Sequence, residues 1–216
     1  ARNAEGLIRE KLDNCLALDY PEKKLDILVY SDGSTDHTNA IAESYAGHRL
    51  KFYQSSEHIG KIAALNATVE NATGEIVLLS DADAILEPNA VKKMVRHYAD
   101  AATGGVCGQR VVHKDRAVLG SAQKNYIKFD SAIKYLESRL GRITSNDGKI
   151  YSFRRELFTP ITQGVTDDLY VALTIIRQGY KFLFEPESRA HIRMPSRTAS
   201  HELRRRQRIV AESLRC

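Results

Sequence analysis

The chain has 216 residues, 43% hydrophobic and 27% charged, with 13 Gly and 5 Pro; that is enough ordinary globular sequence to bury a core as one domain, and it excludes a disordered or collagen-like chain. Apolar runs stop at four or five residues, far short of the roughly 20 that cross a bilayer, and the opening ARNAEGLIRE is amphipathic rather than a secretory leader. The formal charge of +5 is modest and local, with five of the 32 Lys and Arg between 204 and 215, a face that would attract a nucleotide, an acidic lipid surface or RNA.

From Ile8, apolar residues return at Leu12, Cys15 and Leu16, the stripe of a surface helix ending near Tyr20 and Pro21. Residues 25–30 form a nearly continuous apolar run suited to a strand buried on both faces. It stops at SDGSTD (31–36), where Ser34, Thr35 and Asp36 are each good N-caps for a helix through Ile41 and Tyr45. Residues 50–53 read as a strand, and Gly60-Lys61 starts a helix carrying Ile62, Leu65 and Val69, broken by Gly74. Residues 75–80 repeat the earlier arrangement, an apolar strand running into Asp81-Ala82-Asp83, after which Pro88 fits the first turn of a helix with Val91, Met94, Val95 and Tyr98 on one face. Further on, the pattern predicts a strand over 106–112, a long polar helix over 116–140 and a short strand over 149–153. A helix over Asp167–Arg177 follows, ended by Gly179, then a strand over 182–184 and a basic helix over 198–214.

This alternation calls for an α/β fold with a mostly parallel sheet, in which ligands bind beyond the carboxyl ends of the strands. Both acidic stretches follow strands, so they are expected to face one crevice. Asp81 and Asp83 stand at i and i+2, and an extended backbone would aim both carboxylates the same way, two hard donors suited to a Mg²⁺ or Mn²⁺ that also holds substrate phosphates. Asp36 reads as a turn or cap residue, whereas Asp32, one residue past the apolar run, is placed to accept hydrogen bonds from a base or ribose. Lys61 follows a glycine at a helix start, where the dipole already favours an anion, although a solvated lysine is equally compatible. Asp167 and Asp168 open a helix, where acids complement the dipole, and His191 reads as a structural histidine before a metal ligand. No HExxH, P-loop or Gly-x-Ser-x-Gly occurs, and the basic run at Arg204, Arg205, Arg208 and Arg215 lacks interleaved aromatics, which argues against base stacking. Three widely spaced cysteines, Cys15, Cys107 and Cys216, give no disulfide framework and fit reduced, cytosol-facing thiols.

Taken in order, SDGSTD (31–36), GKIAALN (60–66), GEIVLLSDAD (74–83), TDDLYVALTIIRQGYKFLFEP (166–186) and RRRQRI (204–209) resemble the family 2 glycosyltransferases over nearly the whole chain. The resemblance implies a GT-A fold, Rossmann-like and mixed, in a single catalytic domain with a nucleotide-sugar half near 1–112 and an acceptor-side half near 113–216. It implies inverting transfer of a hexosyl or N-acetylhexosaminyl group from a nucleotide sugar, UDP-linked first, to a hydroxyl of a saccharide or lipid-linked acceptor, with Mg²⁺ or Mn²⁺. By position, Asp32 and Lys61 match donor contacts, Asp81 the residue nearer the ribose, Asp83 the metal ligand and Asp168 the catalytic base. Asp147, Gly148 and Asp167 fall on the acceptor side, and Arg205 and Arg208 are implied to carry charge from the departing diphosphate.

Three departures from the family pattern stand out. The QxxRW of processive synthases is replaced by Arg205-Arg206-Gln207-Arg208-Ile209, which argues against cellulose-type or hyaluronan-type synthesis; Ser31 replaces the first acid of DDGSTD. The family's first strand, which belongs in mid-sheet, has no counterpart before Ala1. The chain is therefore expected to be a segment of a longer protein, at the cytoplasmic face of a membrane or in the cytoplasm, and on its own to melt at low temperature. The rival readings are a nucleotidyltransferase of similar sheet and a non-catalytic binding module on a transferase fold.

Overall fold

In a computed structural model, the structure describes residues 1–47, 49–112, 120–143, 145–146, 148–162 and 165–193, with Gln207 and Ala211. The first half alternates as the periodicity predicts: α1 (Glu5–Leu16), β1 (Ile27–Asp32), α2 (Thr38–Glu43), β2 (Leu50–Ser55), α3 (Lys61–Glu70) and β3 (Ile76–Leu79). The second half adds β4 (Ala84–Leu86), α4 (Ala90–Val95), β5 (Thr103–Val111), α5 (Gly120–Arg139), β6 (Tyr151–Arg154), α6 (Asp167–Arg177) and β7 (Lys181–Ile192). The basic segment over 198–214, with Arg204, Arg205 and Arg208, and Arg215 just beyond it lie outside the described residues apart from Gln207 and Ala211. Among the described residues, no helix is long and apolar enough to cross a membrane.

Several elements differ from expectation. Pro88 precedes α4, whose N-cap is Asn89, and its carbonyl accepts the Asp19 N–H at 2.8 Å instead of lying in the first turn. β4 is only three residues long and carries no periodic signal of its own; it exists because Ala84–Leu86 pair with residues 190–192 of β7. β7 runs for twelve residues, where hydrophobicity alone marks three. Its later half is charged, and it is held as a strand by ladders on both sides, to β5 and to β4. The register slips between Gly108↔Glu185 and Gln109↔Arg189, so Pro186 falls in a bulge, where its missing N–H costs no ladder bond.

The mixed α/β sheet is present, but in two pieces. β3, β6, β5, β7 and β4 form one sheet in that order, while β1 and β2 form a separate parallel pair. Two of the five ladders, β1–β2 and β5–β7, are parallel. Among the described residues, β1 pairs only with β2 and β3 only with β6, so each has one edge without a strand partner. Ala1 lies along that edge of β1: its amino group donates to the Tyr30 carbonyl at 2.6 Å, and its carbonyl accepts the Asp32 N–H at 2.8 Å.

Three apolar clusters hold these layers. Tyr151, Phe153, Phe182, Val171 and Ile175 seat α6 on the large sheet, Met94, Val106, Ile150 and Leu86 seat α4 on the same sheet, and Ile8, Leu12, Val29 and Leu50 join α1 to the small one. Gly105 is required where β5 crosses Phe182, because a Cβ there would lie 2.3 Å from the ring. The buried Glu185 of β7 is the main polar exception. It accepts hydrogen bonds from Arg96 at 2.6 Å and the Glu187 N–H at 3.0 Å, and its Oε2 lies 2.7 Å from His97 Nε2.

Burial pushes the Glu185 carboxyl up, but His97, the Glu187 amide and Arg96 outweigh it and bring it down from 4.5 to about 2. A carboxyl depressed on folding stabilises the protein fully above its unfolded pKa, and that contribution disappears as the pH falls through the folded value. Glu185→Gln should therefore cost about 2–3 kcal/mol near neutral pH. In urea melts the gap to the parent should close between roughly pH 4.5 and 2, and a gap constant over that range would show that the carboxylate charge is not responsible.

Candidate active site

The loop SDGSTD is folded by reciprocal bonds with the segment leading into α1. Thr35 N–H donates to Asn3 Oδ1 at 2.9 Å, Asn3 N–H to Ser34 Oγ at 3.1 Å, and Ala4 N–H to Thr38 Oγ1 at 2.7 Å. Asp36 accepts the Thr38 N–H at 3.0 Å and the Glu5 N–H at 3.1 Å, so it orders the starts of both α2 and α1, as a turn residue should. The formal cap of α2 is His37.

Asp32 is buried, and its carboxylate is engaged by the loop before α3. Oδ1 accepts the Ile59 N–H at 2.7 Å, Oδ2 accepts the Gly60 N–H at 3.1 Å, and His58 Nδ1 lies 2.8 Å from Oδ2. Burial raises the carboxyl, but the Ile59 amide, His58 and the Gly60 amide together hold it below the usual carboxylate range. Gly33 makes this approach possible: its φ is +57°, and a Cβ there would meet the Glu57 carbonyl carbon and the His58 nitrogen at 2.5 Å. Asp32 thus acts first on the loop that launches α3 and Lys61.

The acidic pair does not converge in the way its spacing predicts. β3 ends at Leu79, and residues 81–84 form a turn closed by the Ala84 N–H on the Asp81 carbonyl at 3.1 Å, so strand alternation does not aim the side chains. They meet on a cation instead. Lys149 Nζ, from the loop before β6, lies 2.9 Å from Asp81 Oδ2 and 2.7 Å from Asp83 Oδ1. On the other side of Asp81, Lys61 Nζ stands 3.6 Å from Oδ1 and donates at 3.1 Å to Asp167 Oδ1, joining the end of β3 to the start of α6. Behind the turn, buried Lys11 donates to the Ala84 carbonyl at 2.6 Å and to Ser80 Oγ at 2.8 Å.

Burial raises the Asp81 carboxyl, but Lys61 and then Lys149 outweigh it and keep it below the ordinary range. Partial burial lowers the Lys61 ammonium, and Asp81 and Asp167 more than reverse this, so its proton is held more tightly than in water. Buried Lys11 is shifted down, chiefly by desolvation.

Asp168, beside Asp167 in the first turn of α6, is oriented by two backbone donors. Gly148 N–H reaches Oδ2 at 2.9 Å and Leu169 N–H reaches Oδ1 at 2.8 Å, while Asn146 Nδ2 donates to the Asp168 carbonyl at 3.0 Å. A side chain at 148 would begin 3.2 Å from Asp168 Oδ2. Buried Tyr151 brings its hydroxyl within 3.5 Å of Asp167 Oδ2. Of the site residues read from sequence, Lys61, Asp81, Asp83, Gly148, Asp167 and Asp168 are therefore brought together, and Asp32 stands one loop away. Asp147, Arg205 and Arg208 lie outside the described residues. His191 sits on β7 with Nε2 at 3.3 Å from Glu87. Lys149, Lys11 and His58 were missed; Lys149 follows a glycine just before an apolar run and has no other mark in the sequence.

A GT-A fold with an acidic pair after β3 and a second acidic pair opening α6 is the architecture of nucleotide-sugar transferases, and the comparisons agree. The model for "Glycosyl transferase family 2" matches residues 1–161, and the chain belongs to that family. It is 27% identical over 200 residues to a poly-beta-1,6-N-acetyl-D-glucosamine synthase of Staphylococcus epidermidis, covering 89% of this chain and 48% of that protein. The same enzyme of Staphylococcus aureus is 27% identical over 191 residues, covering 85% and 46%. The chain thus spans about half the length of the curated relatives it matches. Among solved structures, the mannosyltransferase PcManGT of Pyrobaculum calidifontis, in complex with GDP-Man and Mn²⁺, superposes with a TM-score of 0.83 at 29% identity over 98% of this chain and 60% of that one. TarS of S. aureus with UDP-GlcNAc superposes at 0.66 with 19% identity over 94% and 58%, a likeness of fold.

Replacing Asp32 with Ala would leave the Ile59 and Gly60 amides without their acceptor, at a cost of about 1–3 kcal/mol. Amide hydrogen exchange at these two positions should rise well above that of α6; unchanged protection would show that the loop does not depend on Asp32.

Proposed function

We propose that this chain is the catalytic domain of an inverting, metal-dependent glycosyltransferase that moves a sugar from a nucleotide donor, UDP-linked, to a hydroxyl of a saccharide or lipid-linked acceptor. One observation carries the reading: the end of β3, the start of α3, the loop before β6 and the start of α6 bring Asp81, Asp83, Lys61 and Asp168 to one place. The N-acetylhexosaminyl assignment draws support from relatives named as synthases of an N-acetylglucosamine polymer, and the UDP assignment from the TarS complex with UDP-GlcNAc, while PcManGT holds GDP-Man. On this reading the nucleotide-sugar half is 1–112 and the acceptor-side half 113–216.

Displacement at the anomeric carbon needs a base on the acceptor hydroxyl and positive charge on the departing diphosphate. Asp168 supplies the base. The Gly148 and Leu169 amides hold its carboxylate in one orientation, so it takes the hydroxyl proton as the new bond forms. Lys61, anchored between Asp81 and Asp167, lies at the start of α3 and meets the donor's phosphates together with that helix dipole. Asp32 shapes the base pocket through the 58–60 loop and Asp81 lies toward the ribose, while Arg205 and Arg208 add charge at the leaving group.

The acidic pair fits a divalent cation, because the two carboxylates already converge on one cationic centre, the Lys149 ammonium. Asp83, with Asp81 beside it, would hold Mg²⁺ or Mn²⁺, and the bound ion would neutralise charge on the diphosphate. Among the described residues no group of three His, Cys, Asp or Glu surrounds it, so the remaining ligands would come from the donor and water.

The test is donor turnover by the full-length protein with Mn²⁺ or Mg²⁺ over a panel of nucleotide sugars. Asp168→Asn should lower kcat by about 10²–10⁴-fold while leaving nucleotide affinity within about twofold (~0.4 kcal/mol). A fully active variant would remove Asp168 from the mechanism, and release of pyrophosphate from a sugar phosphate and a nucleoside triphosphate would replace transfer with nucleotidyl chemistry.

A further inference from the structure

We infer that Lys149 is a built-in competitor for the divalent cation, so that the acidic pair admits the ion only when the ammonium is displaced. The inference rests on the proposed metal-dependent reading and adds a residue that controls it. Lys149 Nζ bridges Asp81 Oδ2 at 2.9 Å and Asp83 Oδ1 at 2.7 Å, which is the space an ion shared by these carboxylates would take. A Mg²⁺ binds oxygen at about 2.0–2.1 Å, so an ion placed between the same two oxygens would overlap the ammonium that now bridges them. The Lys149 side chain is 17% exposed, held against the turn and not swinging in solvent.

Its position is set by the backbone. Lys149 immediately follows Gly148, which is bonded to Asp168, and its own carbonyl accepts Ser80 Oγ at 3.0 Å, which fastens it to the end of β3. Lys11 approaches the same turn from α1 and Lys61 approaches Asp81 from α3, so the pair is compensated before any ion arrives. A divalent ion entering this site meets the ammonium groups of Lys149 and Lys61, with Lys11 behind the turn. A nucleotide diphosphate changes the balance, since it brings further oxygen ligands for the ion and an alternative acceptor for the displaced Lys149. Metal loading is thereby coupled to donor binding, and the coupling must be reciprocal. Lys149 acts here through the carboxylates, as a positioning residue.

Mn²⁺ binding to the full-length protein, read by the loss of free-ion paramagnetic resonance signal, tests this without any turnover. Without nucleotide, Lys149→Met should bind Mn²⁺ at least tenfold more tightly than the parent, and Lys149→Arg should stay as weak as the parent. Adding UDP should tighten Mn²⁺ binding more in the parent than in Lys149→Met. Asp83→Asn in the Lys149→Met background should abolish the gain, which separates this pair from adventitious sites. Equal Mn²⁺ affinity in the parent and both Lys149 variants would overturn the competition while leaving the metal reading intact. Absence of Mn²⁺ binding in every protein, with and without UDP, would overturn both. If Lys149→Met does not fold, the parent and Lys149→Arg still decide: tight nucleotide-free binding in either sinks the inference.

Discussion

The site depends on compensating like charges brought together. Asp81, Asp83, Asp167 and Asp168 come together from segments distant along the chain, and like charges this close repel unless cations lie between them. Lys61 ties Asp81 to Asp167, and Lys149 ties Asp81 to Asp83. Lys149 is largely withdrawn from water, where the attraction is stronger than at an open surface, whereas Lys61 is mostly exposed and its pairs are screened. The same contacts that let the acids coexist bring together Asp168, Lys61 and the Asp81–Asp83 pair, the residues to which the proposed reading gives the roles of base, donor-facing cation and cation-binding pair.

A second constraint supports the first. Asp32 is buried at the end of β1 and tied to the 58–60 loop, so the start of α3, and with it Lys61, is positioned by a hydrogen-bonded carboxylate and not by packing alone. SDGSTD is in turn locked to Asn3, Ala4 and Glu5. Two stretches that look like independent turns in the sequence work as one folded unit, and that unit stands at the edge of β1 where, among the described residues, no strand joins the small sheet to the large one.

Much of the fold was legible because it rests on local periodicity. The boundaries of α6 follow from its apolar spacing, its opening acids and Gly179, and β1 and β3 are marked by apolar runs that stop at acids. β4 and the charged half of β7 were not legible, since they are strands by virtue of their partners and not their own residues. The convergence of Asp81 and Asp83 was expected for a reason that does not apply: the backbone turns there, and a lysine 66 positions on does the joining.

By itself, the sequence determined the alternating α/β order, the two acidic stretches at strand ends, the acids opening α6 and membership of a transferase family, all properties of adjacent residues or of motif order. Only the tertiary structure decided which charges meet. It gave Asp32 to a loop, Lys61 to two carboxylates and Lys149 to the acidic pair. Such pairings depend on the meeting of segments distant along the chain, and ionic attraction at 3 Å leaves no periodic trace in the sequence that produces it.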